Sequence, residues 1–127
     1  MRDLEQLNIL TEKIIGLAIE VHRFLGPGLL ESTYRKCLCY EFDKNGLPYK
    51  EEVPIPIKYK ELLIDNAYRA DIIVEAEIIL EIKAVENILP VHEAQLLTYI
   101  KLNKSKLGLI LNFNVPLMKN GIVRKIN

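Results

Sequence analysis

The stretch 78–85, Ile-Ile-Leu-Glu-Ile-Lys-Ala-Val, constrains the fold most, because it is an apolar, strand-like run that carries two charges. Successive side chains of a strand point to opposite faces, so Glu81 and Lys83 share one face, roughly 6 to 7 Å apart. Their neighbours are aliphatic, and charged groups are rarely buried without a partner or a function. The run therefore predicts a buried strand that carries a polar site.

A second strand-like run, 69–74, carries another carboxylate, Asp71. If the segment 75–77 forms a turn centred on Ala76, Asp71 lies directly opposite Glu81, with Cβ atoms about 4.5 to 5.5 Å apart. Two carboxylates this close repel each other unless a cation lies between them. The pairing predicts a site for a hard, oxygen-binding ion such as Mg²⁺, and two acids with a lysine suit metal-assisted hydrolysis of a phosphodiester.

Two alternatives stay open at this point. Glu75-Ala76-Glu77 lacks the Gly or Asn that a tight hairpin prefers. A two-residue turn would shift the register by one residue and send the two acids to opposite faces, unless a bulge restored it. Glu81 and Lys83 would otherwise be the solvent face of an ordinary amphipathic strand.

The remaining pattern predicts helices around a sheet. Apolar spacing predicts one helix up to about Phe24, ended by Gly26-Pro27-Gly28, and a second from about Leu29 to Asn45-Gly46. Strands are predicted at 53–59, 68–74, 78–85, 107–113 and 121–126. The first of these is expected at an edge of the sheet because it holds two prolines, and 61–66 is its continuation or a turn. A third helix is predicted from Pro90 to about residue 100. We expect a single α/β domain over 1–127, with a mixed central sheet flanked by helices.

Composition narrows the class of protein. The chain has 127 residues, 50% hydrophobic and 27% charged, which is typical of a soluble globular domain. No apolar run approaches the roughly 20 residues that span a bilayer, and the start has no secretory pattern, so we expect a cytoplasmic protein without a membrane partner. The 17 basic and 17 acidic residues balance, which gives no overall attraction to nucleic acid. We expect Cys37 and Cys39 to be free thiols.

Several motifs resemble a known family. Gly28, Glu31 and Tyr34 match the motif that names the GxxExxY protein family, and the stretches 68–71, 81–86, 90–99 and 108–114 resemble it as well, in order and over nearly the whole chain. That family is similar to the PD-(D/E)XK nuclease superfamily. The resemblance implies a restriction-endonuclease-like core, a mixed four-stranded sheet flanked by helices.

The resemblance also implies roles for individual residues. Asp71 and Glu81 would bind Mg²⁺ or Mn²⁺, with the Ile82 carbonyl as a further oxygen, and Glu31 would add a direct or water-mediated ligand with a catalytic role. Lys83 would be the catalytic lysine, which positions water or stabilises charge on the phosphate. Ala70 stands where the superfamily motif has proline.

Other candidates have competing interpretations. The resemblance matches Gln95 to a polar residue on the helix after the sheet and makes it a candidate catalytic residue. Gln95 and Tyr99, one turn apart, could face the site together and orient Lys83 or substrate, although both could also be ordinary groove residues. Tyr34 and Tyr99 are the candidate substrate contacts, although packing is the simpler role for Tyr34. Without the resemblance, Glu31 is a residue that favours a helix start. His22 suits the end of its helix as well as it suits a metal, and His92 is expected to be exposed.

The sequence therefore predicts a magnesium-dependent nuclease that acts on DNA or RNA. The alternative is a non-catalytic module that binds nucleic acid or protein and retains the nuclease fold. Nucleic acid is the expected partner. A homodimer is also considered, because a domain this small could hardly enclose a long duplex alone.

Overall fold

The structure is a computed structural model that describes all residues, 1–127. Its elements are α1 (Leu4–Leu25), α2 (Glu31–Lys44), β1 (Tyr49–Tyr59), β2 (Leu62–Val74), β3 (Ile78–Lys83), α3 (Pro90–Leu102), β4 (Leu107–Asn112) and β5 (Ile122–Ile126). A 3₁₀ turn, Met118–Gly121, precedes β5. The predicted order of helices and strands is confirmed, and the segment 61–66 mostly continues β2.

The strands form one mixed sheet in the order β1-β2-β3-β4-β5. β3 and β4 run parallel, and every other neighbouring pair is antiparallel. Strand β1 lies at one edge, as its two prolines predicted. The predicted α/β class with a mixed central sheet flanked by helices is confirmed, with five strands where the resemblance implied four.

Two apolar clusters cover the two faces of the sheet. The larger one joins α1 and α2 to one face and includes Ile14, Leu38 and Leu80. The smaller one joins α3 to the other face. Helix α3 packs closely on β4 because Gly108 has no side chain: a Cβ there would lie 2.8 Å from Leu96 Cδ1.

The ends of the helices follow from local chemistry. Asp3 caps α1, since its Oδ1 accepts from Gln6 N at 2.8 Å, and Gly26 ends it with a φ of 68°. Pro90 begins α3, and Leu89 N donates to His92 Nδ1 at 3.0 Å, so the role of His92 is at the helix start. His22 Nε2 lies 2.7 Å from the Val115 carbonyl oxygen, a structural contact. None of the helices has the length and apolar character needed to cross a membrane.

The turn between β2 and β3 sets the register on which the site depends. Glu75 and Ala76 have φ values of 54° and 60°, and Glu77 N donates to Val74 O at 3.0 Å. Val74 pairs with Ile78, so the register predicted for a turn centred on Ala76 is confirmed. Arg2 forms ion pairs with both Glu75 and Glu77, which holds the turn in this unusual conformation.

Candidate active site

The two predicted acids lie where β2 and β3 stop pairing through their backbones. The last backbone pair is Ile72 with Leu80. Beyond it, Asp71 N donates to Glu81 Oε2 at 2.9 Å, and Ile82 N donates to Asp71 Oδ2 at 2.8 Å. Carboxylate oxygens thus take the place of the missing backbone acceptors. Each acid is fixed by one oxygen, and its other oxygen accepts no hydrogen bond from the protein.

Burial dominates the electrostatics of this pair. Glu81 is 7% exposed, and burial, reinforced by the charge of Asp71, raises the pKa of Glu81 to about 7. Burial also raises the pKa of Asp71, against the hydrogen bond from Ile82 and the positive charge of Lys83. Both carboxyls are desolvated, and the charge of Asp71 adds to the cost of ionising Glu81. A bound cation would relieve this cost.

Lys83 is the last residue of β3 and pairs with Asn112 of β4. Its ammonium forms no ion pair, yet its charge lowers the pKa values of the nearby carboxyls Asp71, Glu81 and Glu31. Strand alternation places Lys83 on the same face as Glu81, as predicted. The lysine is therefore close to the acids and forms an ion pair with none of them.

Asn112 is a site-supporting residue that the sequence analysis missed. It is 2% exposed; its Nδ2 donates to Val85 O at 2.9 Å, and its Oδ1 accepts from Val85 N at 3.1 Å. These bonds tie the chain two residues beyond Lys83 to the end of β4. The signal was an amide at the end of the apolar run 107–112, where a buried polar group needs partners.

Glu31, the first residue of α2, is exposed and close to the acids. Partial burial and then the charge of Asp71 raise the pKa of Glu31, while Lys83 and Arg35 oppose that rise. No group of three His, Cys, Asp or Glu side chains lies close enough to hold a metal ion. Asp71 and Glu81 thus form a site of two carboxylates, with Glu31 at longer range.

Arg35 was also missed. It lies one helical turn after Glu31, with its Nη1 3.5 Å from Glu52 Oε1 and its Nε 3.7 Å from Glu51 Oε1. The buried Nε has no hydrogen-bond partner, and the guanidinium charge lowers the pKa of Asp71. The i, i+4 spacing from Glu31 was the available signal.

Glu52 itself marks an irregularity in β1. Glu51 pairs with Ile72 and Val53 pairs with Ala70, but Glu52, with a φ of 49°, does not pair with Asp71 between them. Asp71 therefore lacks a regular backbone partner on both neighbouring strands. The register of β1 and β2 is the same on both sides of this gap, so the interruption is confined to Glu52 and Asp71.

Tyr99 and Gln95 lie on α3 and differ in their surroundings. Tyr99 is 7% exposed, its ring is tilted against Tyr68 at 5.4 Å between centroids, and burial followed by the charge of Glu81 raises its pKa. Gln95 is exposed and makes no hydrogen bond to Lys83 or to any other protein group. Tyr99 therefore borders the acids, whereas Gln95 is available to solvent.

The predicted substrate contact by Tyr34 has no structural basis. The side chain is fully buried; its hydroxyl donates to Gly26 O at 2.5 Å and accepts from Leu29 N at 3.1 Å. Its ring stacks on Phe113 with 4.5 Å between centroids. Tyr34 fixes the loop between α1 and α2 and leaves no surface to a substrate. Cys37 and Cys39 are free thiols, as predicted.

The sequence profile of the PD-(D/E)XK nuclease superfamily matches residues 8–125. The chain belongs to this superfamily. Neither a curated protein nor a solved structure matches it. The match is to the superfamily, so the resemblance to the GxxExxY family rests on the sequence motifs alone. PD-(D/E)XK nucleases generally use divalent metal ions.

The residues present fit such a metal ion. Asp71 and Glu81 supply carboxylate oxygens, the ligand type that Mg²⁺ and Mn²⁺ prefer. Each has one oxygen without a protein donor, and both have raised pKa values that a divalent charge would lower. As magnesium usually retains several waters, two protein carboxylates are enough to bind it.

Proposed function

We propose that this PD-(D/E)XK protein hydrolyses phosphodiester bonds in DNA or RNA with Mg²⁺ or Mn²⁺ held by Asp71 and Glu81. The observation that carries the proposal is the pair of hydrogen bonds from the Asp71 and Ile82 amides that fixes the buried Glu81 carboxyl and the half-buried Asp71 carboxyl on two adjacent strands. An acid pair used only for structure would destabilise the fold, because neither carboxyl forms an ion pair and burial raises the pKa of both.

Each side chain of the site has a role in this proposal. The bound ion would polarise a phosphoryl oxygen and lower the pKa of a bound water. Lys83, unpaired and beside the acids, orients the attacking water or stabilises charge that grows on the phosphate. Glu31 adds a contact through water, and Gln95 and Tyr99 line the approach on α3. The free thiols suit the reducing, cytoplasmic location that we expect.

A second candidate is a module that binds nucleic acid or protein without catalysis. The equal numbers of basic and acidic residues, 17 of each, favour it, since tight binding to phosphate backbones needs positive charge. Lys83 favours the enzyme, because a binding module has no need of a lysine two residues from a metal ligand.

Metal binding is the first test. Calorimetric titration of the wild type with Mg²⁺ and Mn²⁺ should show dissociation constants in the micromolar-to-millimolar range, roughly −8 to −4 kcal/mol. Asp71→Asn keeps an oxygen to accept from Ile82 N but loses the charge, so it should lose the binding. A wild type that binds neither ion contradicts the proposal.

Cleavage of labelled single- and double-stranded DNA and RNA is the second test. Lys83→Ala should lose cleavage by about 10²-fold or more and keep metal binding. Lys13→Ala, an exposed lysine of α1, is the matched control and should behave as the wild type. Metal binding without cleavage of any substrate would select the binding module.

A further inference from the structure

Arg35 is a cation close to the acids that has no role in the proposed hydrolysis. Its side chain extends from the face of α2 that packs on the sheet, because Leu38 and Cys39, three and four residues later, are buried. The side chain is 24% exposed. Arg35 is therefore directed towards β1 and β2 rather than into open solvent.

The contacts of Arg35 leave most of its hydrogen-bonding capacity unused. A guanidinium offers several N–H donors in one plane. Here Nη1 donates to Glu52 Oε1 at 3.5 Å, whereas Nε is 3.7 Å from Glu51 Oε1, is buried and has no hydrogen-bond partner. Both glutamate side chains are about half exposed, and ion pairs of this kind contribute little. Because a buried donor without an acceptor costs free energy, the guanidinium suits a further anionic oxygen.

The strand register places this guanidinium beside the acid pair. Glu52 lies on β1 at the position across from Asp71, between two regular pairs of β1 and β2. Arg35 contacts Glu52, and its charge lowers the pKa values of Asp71 and Glu31. Arg35 also lines an open concavity at the start of α2, next to Glu31. A ligand that reaches the acids from the α2 side therefore meets the guanidinium.

Lys83 and Arg35 lie at different ends of the acid pair. Lys83 is two residues after Glu81 on β3, and its charge lowers the pKa values of all three acids. The charge of Arg35 acts from the α2 side, on Asp71 and Glu31. Since a nucleic acid strand carries phosphates at regular intervals, a phosphate at the acids and Lys83 has a neighbour along the strand. Arg35 is placed to meet that neighbour.

The acids around Arg35 leave it able to bind a phosphate. Glu51 and Glu52 are exposed to solvent, where salt screens their charges. A divalent ion held by Asp71 and Glu81 would offset the charges of those two carboxylates. A planar guanidinium matches two oxygens of a phosphate, which gives a stronger contact than the long pairing with Glu52.

We propose that Arg35 binds the backbone phosphate next to the one that is cleaved, through a bidentate contact to two of its oxygens. This inference rests on the proposed hydrolysis, which defines the phosphate that is cleaved. The contact replaces the weak pairing with Glu52. It involves only the backbone of the strand, so it is the same for every base sequence. Arg35 thus sets how tightly the strand binds and takes no part in the chemical step.

Fluorescence anisotropy of labelled DNA and RNA strands tests the contact. Ca²⁺ replaces Mg²⁺, so that binding is measured without cleavage. Arg35→Ala should bind strands of different sequence about tenfold more weakly, and the slope of log affinity against log salt should become shallower by about 1. Arg35→Lys keeps a charge without the planar fork and should recover part of the loss. Arg124→Ala, exposed on β5 at the other edge of the sheet, is the control and should bind as the wild type.

Glu52→Gln separates a phosphate contact from a structural ion pair. Loss of either partner breaks the pair, so a purely structural role predicts weaker binding for both Arg35→Ala and Glu52→Gln. A phosphate contact predicts opposite effects, since Glu52→Gln frees the guanidinium and should tighten binding about two- to fivefold. In the Arg35→Ala background the same substitution should have almost no effect, which excludes a general effect of removing one negative charge.

Cleavage kinetics give a second readout. With Mg²⁺, Arg35→Ala should raise KM about tenfold and change kcat by less than about threefold, because the contact does not involve the phosphate that reacts. Mn²⁺ affinity should be kept. Circular dichroism shows whether each variant has folded. If Arg35→Ala is unfolded, Arg35→Lys and Glu52→Gln still test the contact, with expected effects in opposite directions.

The results separate this inference from the proposed hydrolysis. A wild type that cleaves, with KM and strand affinity unchanged in Arg35→Ala, overturns the contact and leaves the hydrolysis standing. Equal weakening by Arg35→Ala and Glu52→Gln also overturns it, since the pair is then structural. A wild type that binds strands through Arg35 without cleaving them supports the contact and selects the binding module. A wild type that binds no strand overturns both.

Discussion

Asp71 and Glu81 each position the other: the amide of Asp71 donates to Glu81 Oε2 at 2.9 Å, and the carboxylate of Asp71 accepts from Ile82 N, one residue beyond Glu81, at 2.8 Å. Neither acid can move without breaking a backbone hydrogen bond. The site is thus preorganised by the same geometry that ends the pairing of β2 and β3, before any ion binds.

The raised pKa of Glu81 makes stability depend on pH. Because the pKa of Glu81 is about 7 in the folded protein and the ordinary 4.5 in the unfolded chain, stability falls as pH rises between these values. In EDTA at pH 8, Glu81→Gln should raise the free energy of unfolding by up to about 3 kcal/mol, at about 1.4 kcal/mol per pKa unit. Urea unfolding at pH 4 and pH 8 measures the change.

The controls for the Glu81→Gln experiment are low pH and added metal. Near pH 4 the two proteins should be equally stable, since both then carry a neutral side chain at position 81. Added Mg²⁺ at pH 8 should stabilise the wild type and not Glu81→Gln, because only the former keeps both ligands. An equal difference between the two proteins at both pH values would contradict a raised pKa.

Substitution of an acid on the strands and substitution of the acid on α2 should lower the metal affinity of the protein by different amounts. Asp71→Asn should lose measurable binding, whereas Glu31→Gln should weaken it by only about three- to tenfold, since Glu31 is exposed and acts at longer range. Calorimetric titration of both variants with Mn²⁺ measures the two losses of affinity. Equal losses would show that Glu31 is a direct ligand, as the family resemblance allowed.

The strand register followed from a turn centred on Ala76, which places Asp71 opposite Glu81. The aliphatic residues of 72–74 and 78–80 could not decide the register by themselves, because both faces of the sheet are covered and these residues are buried in either register. The turn chemistry could not be predicted from the same stretch. Glu75 and Ala76 adopt positive φ beside Arg2, which is more than 70 residues away in the sequence.

The centre of the site was predictable, and its surroundings were less so. Asp71, Glu81 and Lys83 could be found because charges within apolar strands are rare. Arg35 and Asn112 were missed because their roles depend on contacts with β1 and with the chain after β3. Tyr34 was predicted to contact substrate because it lies three residues after Glu31 in the motif. A motif does not show in which direction the tyrosine hydroxyl points.

Tyr34→Phe tests the structural role of this tyrosine. Loss of the hydroxyl leaves Gly26 O and Leu29 N without their partner, which should cost about 1 to 3 kcal/mol of stability. Mn²⁺ affinity and the KM for nucleic acid should not change. A rise in KM with unchanged stability would show that Tyr34 contacts the substrate.

Asn112→Ala tests whether the bond to Val85 positions Lys83. Both polar groups of Val85 would lose their partner at a half-buried position, so we expect a loss of about 1 to 3 kcal/mol in stability. At a temperature where the variant is folded, kcat should fall while Mn²⁺ affinity is kept. Asn120→Ala, an exposed amide whose side chain makes no hydrogen bond to the protein, is the control and should change stability by less than about 0.5 kcal/mol.

Ala76→Gly tests the strained turn on which the register depends. Ala76 has a φ of 60°, a region in which a side chain costs about 1 kcal/mol and glycine has no such cost. The variant should be more stable by about 0.5 to 1 kcal/mol, with unchanged metal affinity. Ala67→Gly, in β2 without positive φ, should instead lose about 0.5 to 1 kcal/mol. If both substitutions destabilise the protein equally, Ala76 is not strained, and the hairpin that brings Asp71 opposite Glu81 has another conformation.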